Sequence, residues 1–432
     1  MLPRLLLAAA LTVVVLAPAA AADHPGSNHG LQAFATLADP LGLDAMVHRL
    51  PDVQNDFAAW EAAYPDFVSR YTIGATSSGF PLEGILVTDE SVPFDGAALA
   101  TGQKLRVYLD GGHHGNEFLG VELAMYYLED LLNKADAGDQ AVVQFLKETE
   151  VYAVPIINVD GNFLDTRKNS AQVDVNRNYD FQFGGPGSGA SVTDQNYRGP
   201  SPGSEAEVRA NMEFGAEIRP DVWVTMHTGV AEFYWPWGWT HDKSPDDWFF
   251  SKLEAPFENA TNGRVDAMMA AELYLAAGAT DDWAYGVLGI PGHTFEVHED
   301  QFIPVYGEGI PVAIEDQLAG LDFVVKNVKV WGAWLEATPA TDGLQLTNLG
   351  WNNATGVKLD GEPLADIPAG ASVVVPWDGD ATVDYQQMLI NTSKVRTLHV
   401  TSQDAGPAEN EAPATGALLA LAALAVALAR RR

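Results

Sequence analysis

No cysteine occurs among the 432 residues, so disulfides, thiolate metal ligands and thiol nucleophiles are all excluded. Cations are scarce as well: 24 lysines and arginines stand against 58 acidic residues, a formal charge of −34. That balance argues against nucleic acid or an anionic membrane surface as partner, and it suits either the attraction of cationic peptides or a salty environment. Long apolar runs are confined to the two ends. Residues 1–22 combine Arg4, an apolar stretch from Leu5 to Ala17 and the small residues Ala20, Ala21 and Ala22, the pattern of a secretory signal peptide. At the other end, Gly416 to Ala429 form an Ala/Leu stretch followed by Arg430, Arg431 and Arg432. This stretch is short of the ~17–25 residues that a free-standing span needs. Its order of spacer, apolar run and terminal arginines reads as a hydrophobic sorting or anchor tail over residues 415–432. The expected location is secreted or attached to the cell surface.

Between those ends, 47% hydrophobic and 10% aromatic residues suffice for a large core. Buried-strand runs at 105–110, 151–157, 221–227 and 292–297 alternate with helical spacing at 56–64, from 117 to about 134, at 203–218, 266–274 and 312–329. Residues 67–73 and 82–87 form a hairpin-like pair. The alternation predicts an α/β fold over 44–335, with a mixed, mostly parallel twisted sheet covered by helices on both faces. Short alternating runs over 336–402 predict a small all-β, sandwich-like domain, in which His399 reads as an ordinary strand residue. Residues 23–43 are a polar lead, and 403–414 a Pro/Glu/Ala linker.

The run from Val107 to Glu117 takes an apolar strand into paired glycines and then presents His114 and Glu117 three residues apart. Imidazole and carboxylate are the ligands zinc takes in hydrolytic centres, where three protein ligands leave one position open. His227, closing the strand over 221–227, supplies the third. A single H-x-x-E pair is ordinarily a solvated loop, and a single strand-end histidine a hydrogen-bonded core residue; their combination carries the reading. Gly111, Gly112 and Gly115 suit a sharp turn that leaves room for a substrate. Two arginine-bearing segments follow the strand that ends at Ile157, with Arg167 in the first and Asn176 and Arg177 in the second. A guanidinium grips a carboxylate through paired hydrogen bonds, a neighbouring amide adds a neutral donor, and a second arginine suits an oxyanion. Surface ion pairing is the alternative for either arginine. Glu296 ends an apolar strand, where an unpaired carboxylate is costly, and this placement fits a general base.

Taken in order, these residues resemble the zinc metallocarboxypeptidase family, the group of carboxypeptidases A, B, E and N. The resemblance spans most of residues 44–335. It rests on His114-Gly-Asn-Glu117, Arg167, Asn176 with Arg177, His227, Tyr274 and Glu296, together with the segment from Tyr197 to Glu205. It implies one zinc ion held by His114, Glu117 and His227, with Glu296 as the catalytic glutamate and Arg167 polarising the scissile carbonyl. It further implies that Asn176 and Arg177 hold the terminal carboxylate, that Tyr274 closes over the substrate, and that peptide or protein C-termini are the substrates. Asp281 stands at the pocket-floor position, acidic in B-type members and apolar in A-type ones. This implies a preference for terminal Lys or Arg, with a helix-capping role for Asp281 equally open. Asn116 departs from the arginine of the A and B types and agrees with the E/N branch, whose β-domain motifs residues 338–402 do not match. The lead over 23–43 is too short for a folded inhibitory pro-domain, so synthesis in active form is expected. Two other readings compete: a same-fold amidase or deacylase acting on cell-wall peptides or acylated amino acids, and an inactive, surface-anchored binding protein.

Overall fold

The computed structural model describes residues 47–91, 104–299, 310–377, 379–388 and 393–400. The expected signal peptide (1–22), lead (23–43), linker (403–414) and tail (415–432) lie outside the described residues. Among the described residues, no helix is long and apolar enough to cross a membrane.

Helix α1 (Leu50–Ala63) precedes a hairpin of β1 (Val68–Ala75) and β2 (Pro81–Val87). Then come β3 (Leu105–Gly111), α2 (Phe118–Asp136), α3 (Gln140–Glu148), β4 (Thr149–Val154) and the short α4 (Val159–Leu164). After a long loop follow α5 (Ala206–Ile218), β5 (Val222–Gly229), β6 (Ala231–Trp235), α6 (Asp247–Ala260) and β7 (Asp266–Met269). Helix α7 (Thr280–Leu288), β8 (Gly292–Glu299) and α8 (Ile310–Trp331) complete this part.

These strands form one sheet in the order β1-β2-β4-β3-β5-β8-β6-β7. The centre, β4-β3-β5-β8, is parallel throughout, and antiparallel pairing is confined to β1/β2, β2/β4 and β6/β8. Nearly every residue of β3 and β5 is buried, as expected of strands covered on both faces. Trp223 and Met226, three positions apart on β5, point to opposite faces. Trp223 lies under Gly215 of α5, while Phe295, which pairs with Met226, lies under Gly320 of α8. The mixed α/β sheet with helices on both faces is therefore as anticipated.

Two expectations are corrected. The helix placed at 266–274 is instead β7 followed by a 3-10 turn over Ala270–Glu272, because residues 266–269 pair in parallel with 232–235 of β6. Tertiary pairing outweighs a weak helical spacing. Helix α1 begins at Leu50 and not near Asp56. Its proline falls in the first turn, where a missing N–H costs nothing, and Asp52 accepts from the Arg49 backbone N–H at 3.0 Å.

The remaining strands build two antiparallel sheets. One has β10 (Gly343–Asn348) between β9 (Leu335–Ala340) and β13 (Ser372–Val375). The other runs β12 (Glu362–Pro363), β11 (Thr355–Leu359), β14 (Ala381–Met388), β15 (Ser393–Val400). Leu335, Leu344, Leu346, Val357, Val383, Tyr385 and Leu398 form their own apolar cluster. His399 is a β15 strand residue, paired with Thr382.

Candidate metal centre and cleft

Strands β3, β5 and β8 are parallel neighbours, so their carboxyl ends open on the same edge of the sheet, the edge at which such folds bind ligands. His114 and Glu117 follow β3, His227 sits near the end of β5, and Glu296 lies beside His227 in register on β8. Glu117 is the cap residue of α2, yet its carboxylate makes no capping bond and points into the site instead.

There, ligand atoms of His114, Glu117 and His227 lie within 4.8 Å of one another, all three residues buried. His114 Nδ1 is 2.7 Å from Glu117 Oε1, His227 Nδ1 is 2.8 Å from Glu117 Oε2, and the two Nδ1 atoms are 3.2 Å apart. Burial would push the Glu117 carboxyl up, but the imidazoles facing it hold it below the ordinary carboxylate range. Burial lowers His227 below the usual imidazole value and so favours the neutral, ligating form. Two imidazole nitrogens and a carboxylate converging this closely form a donor set that one cation can share. The far nitrogen of His114, Nε2, is held 3.1 Å from Asp174 Oδ1, an orienting contact typical of metal-bound histidines. The residues present fit a zinc ion.

Around this group the structure collects the other candidates. Arg167 pairs with Asp174 Oδ2 through Nε (3.0 Å) and Nη2 (2.8 Å), while its Nη1 lies 3.1 Å from His114 Nδ1 and 3.4 Å from Glu117 Oε1. Asn176 and Arg177 occupy a 3-10 turn over Val175–Arg177, both buried. Arg177 donates to the Asn176 and Gly187 carbonyls, and the Tyr274 ring covers its guanidinium at 5.8 Å. Tyr274 follows the 3-10 turn and is 47% exposed, so it is a rim residue and not a packed helical one. Glu296 is 8% exposed, and its Oε2 has no hydrogen-bonding partner among the described residues. Burial, reinforced by the Glu117 charge, raises its carboxyl well above the ordinary value against the opposing arginines.

Asp281 lies in the first turn of α7, whose cap residue is Ala279. Its Oδ1 accepts from the Asp282 N–H at 2.9 Å, and it lines a recess shared with Asn176, Arg177, His227, Tyr274 and Glu296. Burial raises the Asp281 carboxyl. A larger cavity of about 660 Å³, bounded by Asn116, Arg167, Arg177, Gln195 and Tyr274, opens beside it.

The turn expected of the glycines is present, but the room expected for a substrate is not. A Cβ on Gly115 would lie 1.9 Å from the Gly161 carbonyl carbon of α4, and one on Gly111 would lie 3.0 Å from Pro155 O. They allow close packing of backbone on backbone behind the ligands and do not clear space for a substrate. Gly112 has φ +59, the left-handed conformation that the turn requires. Sequence reasoning also passed over Asp174, although it stands two residues before Asn176 in the same segment. It is fully buried, and His114 and Arg167 outweigh burial to hold its carboxyl well below the ordinary range.

A mostly parallel α/β sheet carrying a buried His₂Glu group, with a carboxylate and two arginines beside it, defines a metallohydrolase. The Zinc carboxypeptidase family profile matches residues 53–319, and the chain belongs to that family. Carboxypeptidase A2 of Rattus norvegicus is 26% identical over 313 residues, spanning 65% of this chain and 70% of the relative. Carboxypeptidase B of Astacus astacus is 30% identical over 258 residues, spanning 52% of this chain and 80% of the relative. Bovine thrombin-activatable fibrinolysis inhibitor, solved in complex with tick carboxypeptidase inhibitor, shares the fold with a TM-score of 0.56 and 22% identity, covering 66% of this chain and 97% of that chain. Carboxypeptidase A from Helicoverpa armigera does so at 0.54 and 17%, covering 65% and 73%. The protein is thus a hydrolase of the metallocarboxypeptidase type.

Proposed function

We propose that the protein is a secreted exopeptidase that removes the C-terminal residue of peptides, with a preference for Lys or Arg. The observation that carries this reading is the recess that Arg177 and Asn176 line together with His114, His227, Glu296 and Tyr274, whose ring covers the Arg177 guanidinium. A guanidinium and an amide lining the recess beside the ligand group suit a terminal carboxylate. Asp281 on the same wall supplies a buried negative charge for a basic terminal side chain.

His114, Glu117 and His227 would hold a zinc ion, which when bound would supply Lewis acidity and make water nucleophilic near neutral pH. Glu296 takes a proton at Oε2 and returns it to the leaving amine, a task suited to a carboxyl whose value lies above the ordinary range. Arg167, anchored by Asp174, directs Nη1 toward the ligand group, where it faces the developing oxyanion. The proposed organisation follows from the chain: signal peptide 1–22, catalytic unit 44–335, β unit 336–402 and sorting tail 415–432.

The test is a panel of matched peptides ending in Arg, Phe or Glu. Fastest release of Arg supports the pocket assignment and preference for Phe contradicts it, while equal cleavage of carboxyl-amidated peptides would favour an amidase.

A further inference from the structure

Behind the ligand group lies a buried polar row that the mechanism above does not use. His113 Nε2 is 2.8 Å from the Tyr179 hydroxyl and 2.9 Å from Thr280 Oγ1, and its Nδ1 is 3.3 Å from Thr225 Oγ1. Thr280 donates both its backbone N–H and its hydroxyl to Asn176 Oδ1, each at 2.9 Å. Tyr179 accepts from Asn211 Nδ2 at 2.8 Å, and the same nitrogen donates to Asp110 Oδ2 at 2.7 Å. His113, Tyr179, Asn211 and Thr280 are fully buried, and the His113 ring stacks on His227 with centroids 5.6 Å apart. Both His113 nitrogens face these partners, and it stands outside the ligand group.

An amide side chain fits its space almost equally well in two orientations that exchange donor for acceptor. Two donors from Thr280 on Oδ1 remove that freedom from Asn176. Its Nδ2 is left on the side of His227, 3.2 Å from Nε2, and of the recess. The Thr280 hydroxyl has one hydrogen, and giving it to Asn176 leaves Oγ1 needing a donor. In the tautomer with hydrogen on Nε2, His113 fills that need, 2.9 Å from Thr280 Oγ1, and Thr225 donates to Nδ1 in turn.

We infer that His113 is a positioning residue for substrate recognition: acting through Thr280, it keeps the Asn176 amide turned N–H outward to meet the substrate's terminal carboxylate. This rests on the carboxylate-binding role proposed for Asn176. The row is assembled from residues up to 167 positions apart, and it joins the turn after β3 to the start of α7.

The test compares a peptide ending in Arg with its carboxyl amide, using the zinc-loaded full chain. His113→Phe keeps a stacking ring without hydrogen bonds, Thr280→Val removes the hydroxyl, and Thr280→Ser restores it. His113→Phe and Thr280→Val are expected to raise KM for the free acid about tenfold, with kcat within about twofold, and to shrink the acid-over-amide preference by the same factor. Zinc content should not change, and Thr280→Ser should behave as wild type. An unchanged KM in folded, zinc-replete His113→Phe and Thr280→Val would overturn the inference, as would equal losses on both substrates accompanied by a lower Tm. Should His113→Phe fail to fold, the Thr280 pair decides. Equal cleavage of acid and amide by the wild type would instead remove the carboxylate role of Asn176, and the inference with it.

Discussion

Glu296 occupies a place few carboxylates tolerate, buried at a strand end with one oxygen lacking a partner among the described residues. Such a position is retained where an unpaired carboxylate has a task. Replacement by Gln keeps the shape and removes the proton acceptor, so Glu296→Gln should bind zinc as wild type does while kcat falls by at least ~10²-fold. Metal analysis with steady-state kinetics checks this, and turnover near the wild-type level would refute the assignment. Glu296, His114, Glu117 and His227 were legible in the sequence because each is a polar residue closing or following an apolar run. Asp174 and His113 were not, because their parts depend on partners 60 and 66 positions away, His114 and Tyr179. The room for substrate assigned to Gly111 and Gly115 was misjudged for the same reason, since spacing does not reveal what a Cβ would meet.

At the scale of elements, the strap before α1 binds two helices through charge. His48 lies between Asp56 of α1, 2.9 Å from Nε2, and Glu122 of α2, 2.9 Å from Nδ1, while Arg49 reaches Asp165 at 2.6 Å and covers the Phe118 ring. Burial works against the His48 charge, but Glu122 and Asp56 outweigh it and lift the imidazole from 6.5 to about 10. A value raised in the folded state means that the folded protein holds the proton more tightly. The contribution is therefore complete below pH 6.5 and is lost as pH rises toward about 10. Urea denaturation at a series of pH values should show stability falling across that window, with the fall reduced in His48→Gln; equal slopes in the two proteins would count against the network. The strap and the first turn of α1 escaped the sequence reading because a proline there resembles a helix boundary. Residues 266–269 were read as helix because a short apolar run has no decisive period, and only the neighbouring β6 makes them a strand.

Across the whole molecule, a buried cation is among the contacts that tie the antiparallel β unit to the catalytic sheet. Arg396 of β15 is 1% exposed, accepts support from Trp334 beneath it, donates to Gln387 Oε1 at 2.6 Å and lies 3.4 Å from Asp221 Oδ1. Asp221 immediately precedes β5, and its other oxygen accepts from the backbone N–H of Arg106 on β3 at 2.9 Å. The pair thus touches the starts of the two strands whose far ends lead to the metal ligands. Arg396→Ala removes a buried cation from beside Asp221 and should cost about 3–5 kcal/mol in urea denaturation, whereas an unchanged midpoint would show the tie to be dispensable. The sheet was foreseeable from the alternation of strand and helix runs, and the β unit from the short alternating runs that follow them, but this tie between them was not, since it joins residues 175 positions apart. The proposed dependence of hydrolysis on a metal held by His114, Glu117 and His227 is tested most directly by measuring zinc content and release of C-terminal Arg together, before chelation, after chelation and after zinc is restored. One zinc per chain, lost and regained in step with activity, is the predicted result; undiminished release of Arg by metal-free protein would contradict it.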